Sequence, residues 1–352
     1  MTRPALPTDR PVKFALVGCG RISRNHLEAL KQHAGRAELV AVCDTDPARL
    51  AEAVAQTGAA GFASLEALLA GSDADIVSLC TPSGLHPLQA MQAAAAGRHV
   101  LSEKPMATRL QDGLDMVRAC QQAGVQLFVV KQNRLNPTVQ MLKQAIEAGR
   151  FGRVHMATVN VFWTRPQAYY DQAPWRGQWE LDGGAFMNQA SHYVDLLDWL
   201  VGPVDQVHAF TATQARRIQA EDSGVMSLRL RHGGLASINV TMLTYPQNLE
   251  GSITVLGETG SARIGGKALN RIEHWQFAAP HDMDERIDQV GYETESVYGF
   301  GHPVYYGNVI DTLQGQALPL VDGRAGLRSL ELMIAAYRSA RDGVRVGLPL
   351  VL

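Results

Sequence analysis

Short apolar runs alternate with amphipathic stretches from residue 12 to about 132. KFALVG (13–18), AELVAVCD (37–44), ADIVSLCTP (74–82), RHVLSEKP (98–105) and VQLFVVKQN (125–133) are apolar segments of strand length. Between them, GRISRNHLEALKQH, DPARLAEAVAQTG, SLEALLAG, HPLQAMQAAAAG and RLQDGLDMVRACQQAG carry apolar residues at helical spacing. Strands apolar on both faces and separated by helices predict a parallel sheet covered on both sides. Residues 12–132 are therefore expected to form a Rossmann-type, doubly wound parallel sheet, in which ligands bind beyond the carboxyl ends of the strands.

Beyond about residue 150 the alternation stops. RVHMATVNVFW, VDQVHAFTATQA, EDSGVMSLRLRHGGLASINVTML, EGSITVLGETGSARI and ALNRIEHWQF predict strands joined by turn glycines. The second domain, 133–352, is thus expected to be α+β, built on an open, mainly antiparallel sheet. The length of 352 residues agrees with two domains, and the C-terminal helix has the option of packing back on the first. MTRPALPTDRP (1–11) is polar and proline-rich with no apolar core, which predicts a loose leader rather than a signal peptide and a cytoplasmic chain.

Charge narrows the partners. A formal net charge of -2 gives no overall attraction for nucleic acid or an anionic membrane, so an anionic ligand must be held by local arginines. No apolar run approaches the roughly 18 residues of a membrane span. Cys19, Cys43, Cys80 and Cys120 lack metal-type spacing and are expected to be free thiols.

Four segments carry chemistry. In the turn Gly18-Cys19-Gly20-Arg21-Ile22-Ser23, the first glycine suits a tight turn and the second a close approach of backbone to pyrophosphate at a helix N-terminus. Asp44 ends the next strand, where a carboxylate binds both ribose hydroxyls and repels a 2′-phosphate, which selects NAD over NADP. RHVLSEKP places Glu103 and Lys104 at a strand end before Pro105, and charges there must be paired, neutralised or used. DGGAFMNQASHYVDLLDWLVG (182–202) predicts a helix with Phe186, Ala190, Tyr193, Val194, Leu197 and Val201 on one face. Its other face carries Asn188, His192, Asp195 and Trp199, where His192 could accept a hydroxyl proton with Asp195 or Asn188 orienting it. Upstream, VFWTRPQAYYDQAPWRGQWELDGG interleaves Phe162, Trp163, Tyr169, Tyr170, Trp175 and Trp179 with Arg165 and Arg176. Rings beside guanidinium groups suit a base, a sugar face and a pyrophosphate or carboxylate, and equally a small apolar cluster under a loop.

The glycine turn, Asp44, CTPSGLHP, SEKP and the GG…H..D helix together resemble the Gfo/Idh/MocA oxidoreductase family along essentially the whole chain. The resemblance implies an NAD-binding Rossmann domain beside an open antiparallel sheet, a cis Lys104–Pro105 bond, and Lys104 facing the substrate with His192 as its catalytic partner. It also places Thr81, Pro82 and His86 near the nicotinamide ribose and Lys104 beside the cofactor, with Glu103 either a partner of Lys104 or a brace on the cofactor side. The match departs at Asp182, where the family has glycine, and at Asn188, where it has aspartate, which puts an aspartate–histidine proton relay in doubt.

KQNRLNP, the RPQAYYDQAPWRGQWELDGGAFMNQASHYVDLL block and YGFGHPVYYGNVIDTL further resemble bacterial nucleotide-sugar 3-dehydrogenases. That implies oxidation of the C3 hydroxyl of UDP-N-acetylglucosaminuronic acid, on the way to diacetamido uronic acids of lipopolysaccharide. Asn133 and Arg134 would reach the sugar, Arg165 and Arg176 the pyrophosphate or uronate, and Tyr169 and Trp175 would stack. It further implies a dimer or tetramer and, as in similar enzymes, reoxidation of NADH by 2-oxoglutarate. The alternatives are an NAD-dependent dehydrogenase of a free polyol such as an inositol, and a non-catalytic NAD-binding regulator.

Overall fold

The computed structural model describes residues 5–293 and 301–351; residues 1–4 of the leader and the start of YGFGHPVYYGNVIDTL lie outside that range. The chain divides into two compact units, one running to Val130 and including His302–Leu327, the other containing Lys131–Gly301 and continuing from Arg328.

The first unit holds six parallel strands: β1 (Val12–Val17), β2 (Ala37–Cys43), β3 (Ala60–Phe62), β4 (Ile76–Leu79), β5 (His99–Ser102) and β6 (Leu127–Val129). Their order is β3-β2-β1-β4-β5-β6, the doubly wound order of dinucleotide-binding folds. Every residue of β4, β5 and β6 is buried, as continuous apolar runs predict for a sheet covered on both faces. β3 has no apolar run behind it, and its sequence Ala-Gly-Phe escapes a hydrophobicity reading because it is a short, largely exposed edge. The helix Pro47–Thr57 starts at Asp46, whose carboxylate accepts the Ala48 and Arg49 amides, and is followed by Gly58 at φ 71°. Its Ala53 joins Leu16, Leu27, Val42, Ala59 and Cys80 in one buried cluster. The helix Gly301–Leu313 contributes Tyr305, whose hydroxyl donates to the Val129 carbonyl at 2.6 Å.

The second unit is an eight-stranded sheet of β7 (Val154–Phe162), β8 (Val204–Ala212), β9 (Ser223–Leu230), β10 (Leu235–Thr241), β11 (Glu250–Gly257), β12 (Gly260–Gly265), β13 (Arg271–Phe277) and β14 (Val346–Gly347). Their order is β13-β12-β11-β7-β10-β9-β8-β14, and only β7 and β10 pair in parallel. Ala157, Val159 and Val161 of β7 are buried, and the alternating positions between them are less so. The helix Ser191–Val201 packs against this strand. Its Tyr193 meets Trp163 edge-on at 5.8 Å, and a Cβ at Gly251 would lie 2.3 Å from the Tyr193 hydroxyl, so that position requires glycine.

The single helix predicted over 182–202 is corrected. A wide turn, Ala185–Gln189, precedes a break at Ala190 (φ -97°, ψ 3°), and the α-helix proper begins at Ser191. Side chains capture the early amides: Phe186 N–H donates to Glu221 Oε1 at 2.8 Å and Met187 N–H to the Tyr337 hydroxyl at 3.1 Å. Sequence periodicity cannot register such competitors. Among the described residues, no helix is long and apolar enough to cross a membrane.

Candidate active site

The first unit presents a built cradle for a dinucleotide at the point where strand order reverses. Gly18, at φ 95°, closes the turn after β1, and a Cβ on it would lie 2.8 Å from the Cys80 backbone beyond β4. Only glycine permits this approach. Gly20 faces open space within 4 Å of its Cβ position, and no side chain caps the following helix, Ser23–Gln32, at Ile22. The backbone N–H groups of Arg21 and Ile22 are thereby placed as in a phosphate site, while that of Ser23 already donates to the Gly20 carbonyl at 3.2 Å. Asp44 is fixed beside them, since Oδ2 accepts the Cys19 amide and Oδ1 the Asp46 amide, both at 2.8 Å. These residues fit a dinucleotide with an unphosphorylated ribose.

Two loops at neighbouring strand ends are tied together by His86. Its Nε2 lies 2.9 Å from the Thr81 carbonyl and its Nδ1 3.0 Å from the Pro105 carbonyl. The ring braces the Thr81-Pro82 turn against the loop that carries Lys104, while the Thr81 hydroxyl donates to Gln89 at 2.5 Å. The Lys104–Pro105 bond is cis.

Glu103 is almost wholly buried, and its surroundings answer why a charge is tolerated there. Oε2 accepts the Lys104 amide at 3.0 Å; Oε1 lies 3.0 Å from His26 Nε2 and 3.5 Å from His302 Nε2. Burial pushes the carboxyl up, but hydrogen bonds from His26 and His302 hold it well below the usual carboxylate range. An ionised carboxylate only accepts, so His26 presents its Nε2–H to Glu103, while its Nδ1 lies 2.7 Å from the Tyr306 hydroxyl. The Tyr306 hydroxyl in turn lies 3.2 Å from that of Ser78. Ser78, Tyr306, His26 and Glu103 thus form a connected, buried chain behind the backbone of Lys104. The sequence reading missed His26, His302 and Tyr306; the available signal was His26, an ionisable residue on the buried face of an amphipathic helix.

In the second unit His192 and Asp195 are buried, so the polar face of their helix is no solvated surface. His192 Nε2 lies 3.2 Å from Gln132 Nε2. Asp195 accepts a two-pronged bond from Arg134, at 2.7 and 2.8 Å, and has Lys131 Nζ at 3.6 Å; Lys131 also donates to Ser329 at 2.8 Å. Burial raises the Asp195 carboxyl, yet the Lys131 and Arg134 charges bring it below its ordinary value. Lys131 and Gln132 also went unnoticed as site residues, although Lys131 follows an apolar strand as Glu103 does. Asn133 is buried beside them.

The aromatic loop gathers around Tyr169. The Arg176 guanidinium stacks 4.0 Å from the Tyr169 ring centre and 5.4 Å from that of Trp175, and Arg165 lies 5.5 Å from Tyr169. Gln189 accepts from Arg165 at 3.0 Å and donates to the Tyr169 hydroxyl and to Asn188 at 3.1 and 2.9 Å. Asn188 in turn donates to Asp182, so the two departures from the family pattern are bonded to each other. Nε and Nη1 of Arg176 are buried with no hydrogen-bond partner among the described residues. A half-buried guanidinium whose covered nitrogens have unused donors is suited to an anionic oxygen.

Residues 12–131 match the NAD-binding Rossmann fold of the Gfo/Idh/MocA oxidoreductase family, and residues 143–348 match its C-terminal alpha/beta domain. Inositol 2-dehydrogenase of Rhizobium meliloti is 32% identical over 94% of this chain and 97% of its own length. The crystal structure of the WlbA dehydrogenase from Bordetella pertussis, in complex with NADH and UDP-GlcNAcA, is 66% identical with a TM-score of 0.96, covering 98% of this chain and 100% of that one. The WlbA dehydrogenase from Chromobacterium violaceum, in complex with the same two ligands, is 62% identical with a TM-score of 0.96 over 100% of both chains.

Proposed function

The chain belongs to the Gfo/Idh/MocA oxidoreductase family, and from that premise we propose that it oxidises the C3 hydroxyl of UDP-N-acetylglucosaminuronic acid to the 3-keto sugar with NAD. The observation that carries this reading is the identity of 62 to 66% with two dehydrogenases crystallised with NADH and UDP-GlcNAcA. NAD supplies the hydride acceptor. The chain's own residues bind, orient and move the proton: Asp44 and the Gly18–Ile22 turn hold the dinucleotide, and Lys104 takes the hydroxyl proton. Arg165 and Arg176 hold diphosphate or uronate oxygens, Tyr169 and Trp175 stack, and Asn133, Arg134 and Asn188 complete the sugar's polar contacts.

Titration of NAD-loaded protein with UDP-N-acetylglucosaminuronic acid, beside myo-inositol, tests the reading while NADH absorbance is followed. Tight binding with reduction of NAD is expected for the UDP-sugar alone. Turnover of inositol without UDP-sugar binding would move the assignment to the polyol dehydrogenases, which the Rhizobium similarity favours as second reading. Arg176→Ala is expected to raise KM for the UDP-sugar about 10- to 100-fold, the weight of a lost charged hydrogen bond, with KM for NAD unchanged. Equal effects on both would remove Arg176 from substrate recognition.

We place the product in lipopolysaccharide O-antigen biosynthesis and the enzyme in the cytoplasm, with 2-oxoglutarate able to reoxidise NADH. A dimer or tetramer is supported by the outer sheet face, where Leu235, Met156 and Leu256 form one exposed cross-strand row and Phe210 and Val225 another. Light scattering that returned a monomer would remove this part.

A further inference from the structure

The contact between Gln132 and His192 is between two buried side chains, so water does not blur which group donates. The atom of Gln132 that faces the ring is the amide nitrogen, at 3.2 Å. An amide NH2 has two hydrogens and no lone pair to offer, so the ring nitrogen it meets must be the acceptor. Turning the amide over would bring Oε1 to the ring and leave the NH2 where Oε1 now sits. That oxygen is buried with no partner among the described residues. A buried oxygen lacking a partner is tolerated more often than a buried amide lacking two, so the present orientation is the better one.

We infer that Gln132 is a positioning residue that sets the tautomer of His192, keeping Nε2 as an acceptor and the ring proton on Nδ1. With its Nε2 held by Gln132, His192 does not take up the hydroxyl proton there, and that proton goes to Lys104. This catalytic half rests on the proposed alcohol oxidation. In that step the substrate O–H and C3–H bonds break and the carbonyl double bond forms. The hydride carries its electron pair to NAD, and the proton converts the neutral Lys104 amine to ammonium. The Asp195 carboxylate is committed to cations, accepting from Arg134 at both oxygens with Lys131 Nζ 3.6 Å away.

The test is an NMR measurement on protein labelled with ¹⁵N-histidine, in which protonated and unprotonated ring nitrogens are well separated. The His192 signals are identified by their loss in His192→Asn. Wild type is expected to show a bare Nε2 and a protonated Nδ1. A carboxylate can only accept, so Gln132→Glu is expected to reverse the pattern and to lower kcat roughly tenfold or more, leaving KM for NAD unchanged. A protonated Nε2 in wild type, or a Gln132→Glu spectrum identical to wild type, overturns the assignment. If Gln132→Glu does not fold, the wild-type spectrum decides alone. The spectrum needs no substrate, so failure to bind UDP-N-acetylglucosaminuronic acid would remove the functional reading and leave the tautomer standing.

Discussion

Lys104→Ala is expected to lower kcat by about 10³-fold, within the span that general acid–base groups contribute, while NADH still binds. The separation of the two effects follows from where the lysine sits. The dinucleotide cradle is made by Gly18, Gly20 and Asp44, whose contacts run to the backbone of Cys19, Asp46 and Cys80 rather than to the Lys104 side chain. The backbone of Lys104 is held by Glu103 Oε2 and, behind it, by the buried series His26, Tyr306 and Ser78. Truncating the side chain beyond Cβ leaves that series intact, so the loss belongs to the missing amine. Single-turnover reduction of NAD with saturating UDP-sugar measures the chemical step directly, and NADH fluorescence measures cofactor binding. Turnover within about tenfold of wild type is too small a loss for the proton acceptor of the reaction and would transfer that role to another group.

What the sequence discloses about this site follows a physical division. Gly18, Asp44 and the Glu103–Lys104 pair stand out because each breaks a local rule: glycines where a strand should turn into a helix, charges where an apolar strand should end. The doubly wound, parallel character of the first unit was legible because continuous apolar runs separated by helices leave few topologies, whereas the short edge strand β3 was not. The partners that fix those residues were not legible. Tyr306 reaches His26 from 280 positions away, and Ser329 reaches Lys131 from 198. The helix break at Ala190 depends on Glu221 and Tyr337, which capture its amides from elsewhere in the chain. Burial of Glu221 in that role pushes its carboxyl up to about 7. The local pattern shows which groups are unusual, and tertiary contacts decide what holds them.

Asp195→Asn is expected to destabilise the protein by about 3–5 kcal/mol, the range found when one partner of a buried ion pair is removed. The Lys131 side chain is 2% exposed and that of Asp195 3%, so the variant would leave a buried ammonium facing a neutral amide. Arg134, at 13% side-chain exposure, has more access to water, which makes Lys131 the principal source of the loss. Lys131→Met combined with Asp195→Asn is accordingly expected to be more stable than Asp195→Asn alone, and urea unfolding of the three proteins measures the coupling. The pH dependence has a fixed sign. The Asp195 carboxyl lies below its ordinary value in the folded state, against the desolvation that opposes it. Its contribution is therefore present above the unfolded carboxylate range near pH 4 and disappears as pH falls through the folded value. The stability difference between wild type and Asp195→Asn should shrink on acidification, and a gap that stayed constant, or a variant within 1 kcal/mol of wild type at neutral pH, well short of the cost of an unpaired buried charge, would count against the buried pair. Asp195 lies on the helix of His192, and Lys131 and Arg134 flank Gln132. The ion pair therefore clamps the two segments whose approach sets the histidine tautomer, and loosening it should disturb the His192 ring signals before the fold itself is lost.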